Sequence, residues 1–264
     1  MKKVCVIIPI YRTELNEYEM ISIVQSAKAL NNRDIIIIKP EGLNTDEIER
    51  KINSSRTESF APDYFKGIPG YNRLMMSAEF YKRFIDYEYV LICQTDAYVF
   101  DDDLDRWCDT GYDYVGAPWL VRPIYNHPVL KLGSWIKHKF RALTGNSNLK
   151  VTWWKVGNGG LSLRKTNSHL KADESLSSVV AHFIDNPGNH IFNEDVFFST
   201  EVNKHGLGFK YPTWQEALKF SFDKYPALCF QLNGEKLPMG CHAWYKRRMR
   251  KFWFPIILGK KMSD

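Results

Sequence analysis

An α/β fold with a doubly wound sheet is what this sequence of 264 residues predicts, and three features predict it. Short apolar runs recur through the first hundred residues, segments of helical period separate them, and the last run empties directly into polar residues. Strand, helix, strand, helix, strand in that order implies parallel pairing, with crossover helices covering the sheet. A composition 44% hydrophobic and 14% aromatic suits one large domain, or one domain with a small appendage, and excludes disorder.

Val4 to Ile10 is continuous in apolar character, as a strand buried on both faces must be. Leu15 to Leu30 follows with Leu15, Tyr18, Ile21, Val24 and Ala27 on one helical face. Ile35 to Ile38 is a second buried strand, ending at Pro40. After the Gly67-Ile68-Pro69-Gly70 turn, Leu74, Ala78, Tyr81 and Ile85 mark one amphipathic helix. Tyr89 to Cys93 is the central strand, and Gln94, Thr95 and Asp96 stand at its carboxyl end. In open α/β sheets that edge is where ligands bind. On the residues alone two readings of Asp96 stand: a carboxylate holding a cation against a bound phosphate, or a polar strand terminus ahead of Asp101 to Asp103. No Gly-x-Gly-x-x-Gly follows the first strand and no Gly-x-x-x-x-Gly-Lys-Ser/Thr occurs, which argues against dinucleotide oxidoreductases and P-loop enzymes.

The net charge of +6 conceals an uneven distribution. Tyr114 to Ala172 holds ten of the 36 bases and no acid, and Lys236 to Ser263 holds eight more and again no acid, which leaves 18 bases against 30 acids elsewhere. Two basic stretches on an acidic body point to an anionic partner. A nucleic acid is not expected, because no recognition motif accompanies them. Cys5, Cys93, Cys108, Cys229 and Cys241 are scattered, without a Cys-x-x-Cys, and read as reduced thiols of a cytoplasmic protein. The apolar run after Met1 to Lys3 is too short for a signal peptide, and no run of about 18 apolar residues exists to span a membrane.

The strand ending in Pro9-Ile10-Tyr11-Arg12, the strand running into Gln94-Thr95-Asp96, the segment Gly157-Asn158-Gly159-Gly160-Leu161-Ser162-Leu163-Arg164 and the triplet Asn193-Glu194-Asp195 together resemble a glycosyltransferase of the GT-A fold. The wording of Asp113 to Trp119, of the glycine segment and of Pro238 to Trp244 is most similar to a poorly characterised GT-A-like family of bacterial and fungal chains. The resemblance covers residues 1–243 and implies a Rossmann-type, doubly wound mixed sheet flanked by helices, with 244–264 as a basic aromatic C-terminal tail.

The resemblance also implies roles. Asp96 would anchor Mn²⁺ or Mg²⁺ on the diphosphate of a nucleotide-sugar donor, although Gln94 replaces the first acid of the family's Asp-x-Asp triplet. His242 would be a second ligand of that cation; on the residues alone, a packed histidine between Cys241 and Ala243 is the alternative. Asp195 would accept the proton of the acceptor hydroxyl in an inverting displacement, with Glu194 orienting the acceptor, whereas simple helix capping explains the same two acids. Pro9, Tyr11, Arg12, Asn72, Arg73, Gln94 and Thr95 fall where such enzymes hold base and ribose. Asn158, Gly159, Gly160 and Trp119 fall where the sugars lie. The runner-up readings are a sugar-1-phosphate nucleotidyltransferase, disfavoured by the lack of a glycine-rich loop after the first strand, and a non-catalytic nucleotide- or glycan-binding protein.

A membrane-surface location at the inner face of the cytoplasmic membrane is the last expectation. Val129, Leu132, Ile136, Phe140 and Leu143 form an apolar stripe among Lys131, Lys137, Lys139 and Arg141. Lys246, Arg247, Arg248, Arg250 and Lys251 stand beside Phe252, Trp253 and Phe254. Bases and aromatics so combined suit an anionic leaflet and a lipid-linked acceptor.

Overall fold

The computed structural model describes residues 1–121, 149–187 and 189–259. The stripe from Val129 to Leu143 therefore lies outside the described residues. The central sheet has six strands: β1 (Lys2–Pro9), β2 (Asp34–Pro40), β3 (Arg56–Phe60), β4 (Tyr87–Cys93), β6 (Tyr114–Pro118) and β7 (Val156–Lys165). Their order is β3-β2-β1-β4-β7-β6. The pairs β1–β2, β1–β4 and β2–β3 are parallel, and β7 runs antiparallel to both its neighbours. This is the mixed, doubly wound sheet expected.

Helix α1 (Glu17–Ala29) begins at a capping box in which Asn16 Oδ1 accepts from Glu19 N and Glu19 Oε2 accepts from Asn16 N. It packs on one face of the sheet with α2 (Asp46–Ile52) and α5 (Leu104–Asp109) around Ile8, Ile37 and Leu91. On the other face, α3 (Gly67–Met75), α4 (Ala78–Arg83), α6 (Thr166–Ser175) and α7 (Ser177–Ile184) cover Ile7, Ile36 and Ile92. Continuous apolar runs in β1, β2 and β4 thus have their physical reason, since both faces are buried.

The expected single helix from Leu74 to Ile85 is two helices. Ser77 breaks it: its hydroxyl donates to Leu74 O and accepts from Phe80 N, ending one helix and capping the next. Gly67 to Gly70 lies in the first turns of α3 and not in a preceding turn.

A second, three-stranded sheet has the order β5-β9-β8, from β5 (Ala97–Val99), β8 (Ser221–Phe222) and β9 (Gly240–His242). Helices α8 (Trp214–Phe220), α9 (Pro226–Leu232) and α10 (Arg250–Leu258) pack beside it. Residues 244–259 join this core. Trp244 and Trp253 are fully buried, Phe252, Phe254 and Ile257 pack against them, and Trp244 Nε1 donates to Ser22 Oγ of α1 at 2.7 Å. The bases Lys246, Arg247, Arg248 and Lys251 remain exposed. All five cysteines are free and buried. Among the described residues no helix is long and apolar enough to cross a membrane.

Candidate active site

Two short strands bring the first half of the site together. β4 ends at Cys93, the chain turns through Gln94-Thr95-Asp96, and β5 pairs antiparallel with β9 so that Ala97 lies opposite His242. Ala243 N donates to Asp96 O at 2.9 Å, which fixes the turn. His242 Nε2 then lies 3.0 Å from Asp96 Oδ1. β8 runs parallel to β9 with Phe222 opposite Cys241, so the next residue, Asp223, falls beside His242, with Oδ1 at 3.1 Å from Nδ1. Lys246 Nζ stands 3.3 Å from Asp96 Oδ2.

The electrostatics follow from that geometry. Burial opposes charge on both partners, yet His242 and Lys246 hold the Asp96 carboxyl well below the usual carboxylate range. The imidazole of His242 is likewise penalised by burial, but Asp96 and Asp223 outweigh this and push it up to about 10. A carboxylate on Nδ1 is the outer partner that orients a metal-ligating imidazole, and here it leaves Nε2 aimed at Asp96. Asp96 Oδ1 and His242 Nε2, 3.0 Å apart, fit a divalent cation once the imidazole gives up its Nε2 proton to the incoming metal, the other ligands coming from a diphosphate and water. Among the described residues there is no cluster of three or more acidic, histidine or cysteine side chains able to hold a metal by itself.

The second half lies across β7. Asn193-Glu194-Asp195 opens a helical run, Glu194–Val196, Phe197–Glu201 and Val202–His205, whose middle part widens to a π-helix. Glu194 turns inward onto Arg164 of β7, with Oε2 2.9 Å from Nη1 and Oε1 accepting from Nη2 at 3.1 Å. Asp195 is half-buried; Val196 N donates to its Oδ1 at 2.8 Å. Burial first, and then the neighbouring Glu194 charge, push its carboxyl up to about 7, while Val196 N–H, Arg164 and Gly159 N–H pull the other way.

Consecutive glycines join the halves. A Cβ on Gly159 would overlap Glu194 Oε1, and one on Gly160 would overlap the His242 ring. The space each glycine frees is taken by a protein side chain, so their smallness serves this double close approach instead of leaving room for a sugar ring. Asn158 is half-buried next to them, and its Oδ1 accepts from Gly160 N.

Other expected residues divide. Thr95 is buried and donates to Glu19 Oε1 at 3.3 Å, and Gln94 N donates to Gly160 O at 2.9 Å. Arg12 grips both Glu19 oxygens and lies over the ring of Tyr11, which is exposed. Pro9 is buried at the end of β1. Asn72 faces the second half: its Nδ2 donates to Asn193 Oδ1 and its Oδ1 accepts from Glu194 N, so its amide braces the acid turn. Arg73 donates to Asp63 O. Trp119 is half-buried; its carbonyl accepts from Trp154 N, and Trp154 is exposed against Trp214. Glu19, Asp223, Lys246 and Arg164 were not singled out as site residues by the sequence. The capping box was the readable signal for Glu19, whereas Asp223 has no local signal because its place depends on the pairing of a two-residue strand.

Solved structures share this architecture. The mouse xyloside xylosyltransferase 1 in its apo form matches at 10% identity and a TM-score of 0.51, over 91% of this chain and 97% of that one. The galactosyltransferase LgtC, solved with donor and acceptor sugar analogs, matches at 13% identity and 0.52, over 98% and 96%. The glycosyltransferase GlyE of Streptococcus pneumoniae TIGR4 matches at 11% and 0.52, and the chain spans 61% of its length. The fold is the GT-A glycosyltransferase fold. The chain itself belongs to the family described as "Protein of unknown function (DUF5672)", whose match covers residues 54–242. No curated protein matches its sequence.

Proposed function

We propose that the chain is a metal-assisted, inverting glycosyltransferase that moves a sugar from a nucleotide-sugar donor to a hydroxyl of a glycan or lipid-linked acceptor, in the synthesis of bacterial surface polysaccharide. One observation carries this reading: adjacent glycines of β7 set a diphosphate-type centre, Asp96 with His242 and Lys246, beside a carboxylate centre, Glu194 and Asp195. Asp96 and His242 would hold Mn²⁺ or Mg²⁺, which when bound neutralises the charge developing on the diphosphate leaving group. Lys246 adds a cation at the same place. Asp195 takes the proton of the acceptor hydroxyl as its oxygen attacks the anomeric carbon; the bond from that carbon to the diphosphate breaks, and the nucleoside diphosphate leaves with the electron pair. Tyr11, Arg12 and Gln94 would serve the donor, and Asn158 and Trp119 the acceptor.

A thermal-shift screen of UDP-, GDP-, CMP- and dTDP-sugars with and without Mn²⁺ tests the donor assignment. One nucleotide class should raise the melting temperature, and only with the metal. No shift by any of them, or the same shift without metal, would count against it.

A peripheral location on the cytoplasmic face of the membrane belongs to the same proposal. The aromatic residues of α10 are packed inward, so the attraction would come from Arg247, Arg248 and Lys251, each worth about 1 kcal/mol near an anionic leaflet. Co-sedimentation with phosphatidylserine vesicles should fall with salt and be lost when these three become glutamate. Equal sedimentation with neutral vesicles would contradict it.

A further inference from the structure

Arg164 is fully buried on β7, and its guanidinium faces Glu194 of the acid turn. Its two terminal nitrogens meet the two oxygens of Glu194, Nη1 also donates to Tyr81 OH at 3.2 Å, and Nε donates to Ser162 Oγ at 3.0 Å. Ser162 Oγ in turn donates to Gly159 O, the residue whose missing side chain admits Glu194. Tyr114 and Phe198 close over the guanidinium, with ring centroids 5.4 and 5.8 Å away. A planar fork so enclosed holds a carboxylate in one orientation. Glu194 is 4% exposed, and both of its oxygens face Arg164.

We propose that Arg164 is the positioning residue of the base: through its two-point ion pair it fixes the Glu194 carboxylate next to Asp195, where that fixed charge, added to burial, makes Asp195 a proton acceptor. This rests on the reading of Asp195 as the base. The physical argument is one of charge and place. Glu194 and Asp195 are adjacent in one helical turn, and a fixed carboxylate charge on the first disfavours ionisation of the second. The other groups facing Arg164 are Tyr71, Tyr81 and Tyr114, with His169 and Asp173 of α6. Burial drives Asp173 towards its neutral acid form and His169 towards the neutral imidazole, so neither displaces Glu194 as the counter-charge.

The test is the pH profile of kcat/KM. For the wild type, with a base titrating near pH 7, kcat/KM at pH 6 should be about tenfold below its plateau. Glu194→Gln removes the neighbouring charge and should move the acid limb down by about one unit, leaving pH 6 only about twofold below the plateau. Arg164→Lys keeps a charge but loses the fork, and should also shift the limb. Should either single variant fail to fold, the double variant Arg164→Met with Glu194→Gln removes both buried charges together and should again show the limb below wild type. Limbs coinciding with wild type in the folded variants, with the acceptor KM raised instead, would overturn the proposal and return Glu194 to acceptor binding. Full turnover in Asp195→Asn would instead remove the base reading itself, whatever the other variants do.

Discussion

Asp195→Asn is expected to lower turnover by about 10²-fold or more while donor affinity stays near wild type. The asparagine oxygen can still accept from Val196 N, so the local turn survives the change. What it loses is the capacity to take a proton. The donor half of the site rests on Asp96 and His242, on the other side of consecutive glycines, and is untouched. In the wild type the base works only when deprotonated, so kcat/KM should rise with pH through about 7 and flatten above it. Stability runs the opposite way. A carboxyl raised in the folded state contributes stability that is complete below its unfolded value, about 3.9, and is lost as pH rises through its folded value. The asparagine variant should therefore be more stable than wild type at pH 8, by on the order of 1–3 kcal/mol. A lower donor affinity in this variant would place Asp195 in the donor site.

Asp96→Asn should abolish transfer and remove the Mn²⁺-dependent stabilisation by nucleotide, because a neutral amide is a poor ligand for a hard cation. It also leaves the buried His242 imidazolium with one carboxylate, Asp223, and Lys246 without its partner. Removing one member of a buried pair is costly, and a loss of about 3–5 kcal/mol of stability is expected near pH 6. The sign with pH follows from both partners. Asp96, held low, contributes stability above its unfolded value that disappears as pH falls. His242, held high, contributes stability that is full below about 6.5 and fades as pH rises through about 10. The deficit of the variant should therefore be greatest near pH 4 to 6.5 and shrink towards pH 10. Urea unfolding across that range measures it, and a deficit that grows with pH would contradict the pairing.

The parts of the molecule that the sequence made legible are those governed by local pattern. Continuous apolar runs marked β1, β2 and β4 because both faces of the sheet are covered, and the same run pointed to Asp96 at its end. What stayed hidden depends on contacts distant in the chain. Asp223 reaches His242 only because β8 and β9 pair, and Asn72 reaches Glu194 across more than a hundred residues. The α3–α4 break turns on one hydroxyl, that of Ser77, which the period of Leu74, Ala78, Tyr81 and Ile85 does not record. The tail is ambiguous in sequence for a physical reason too. An amphipathic basic helix has the same pattern whether its apolar face meets lipid or protein, and here Trp253 meets protein.

Release of nucleoside diphosphate is the measurement closest to the central claim. With the sugar nucleotide that stabilises the chain, Mn²⁺ and a glycan acceptor, the wild type should release one nucleoside diphosphate per sugar transferred, with the configuration at the anomeric carbon inverted by NMR. Binding of the nucleotide without any release, in the presence of acceptor and metal, would show a binding protein and contradict the account.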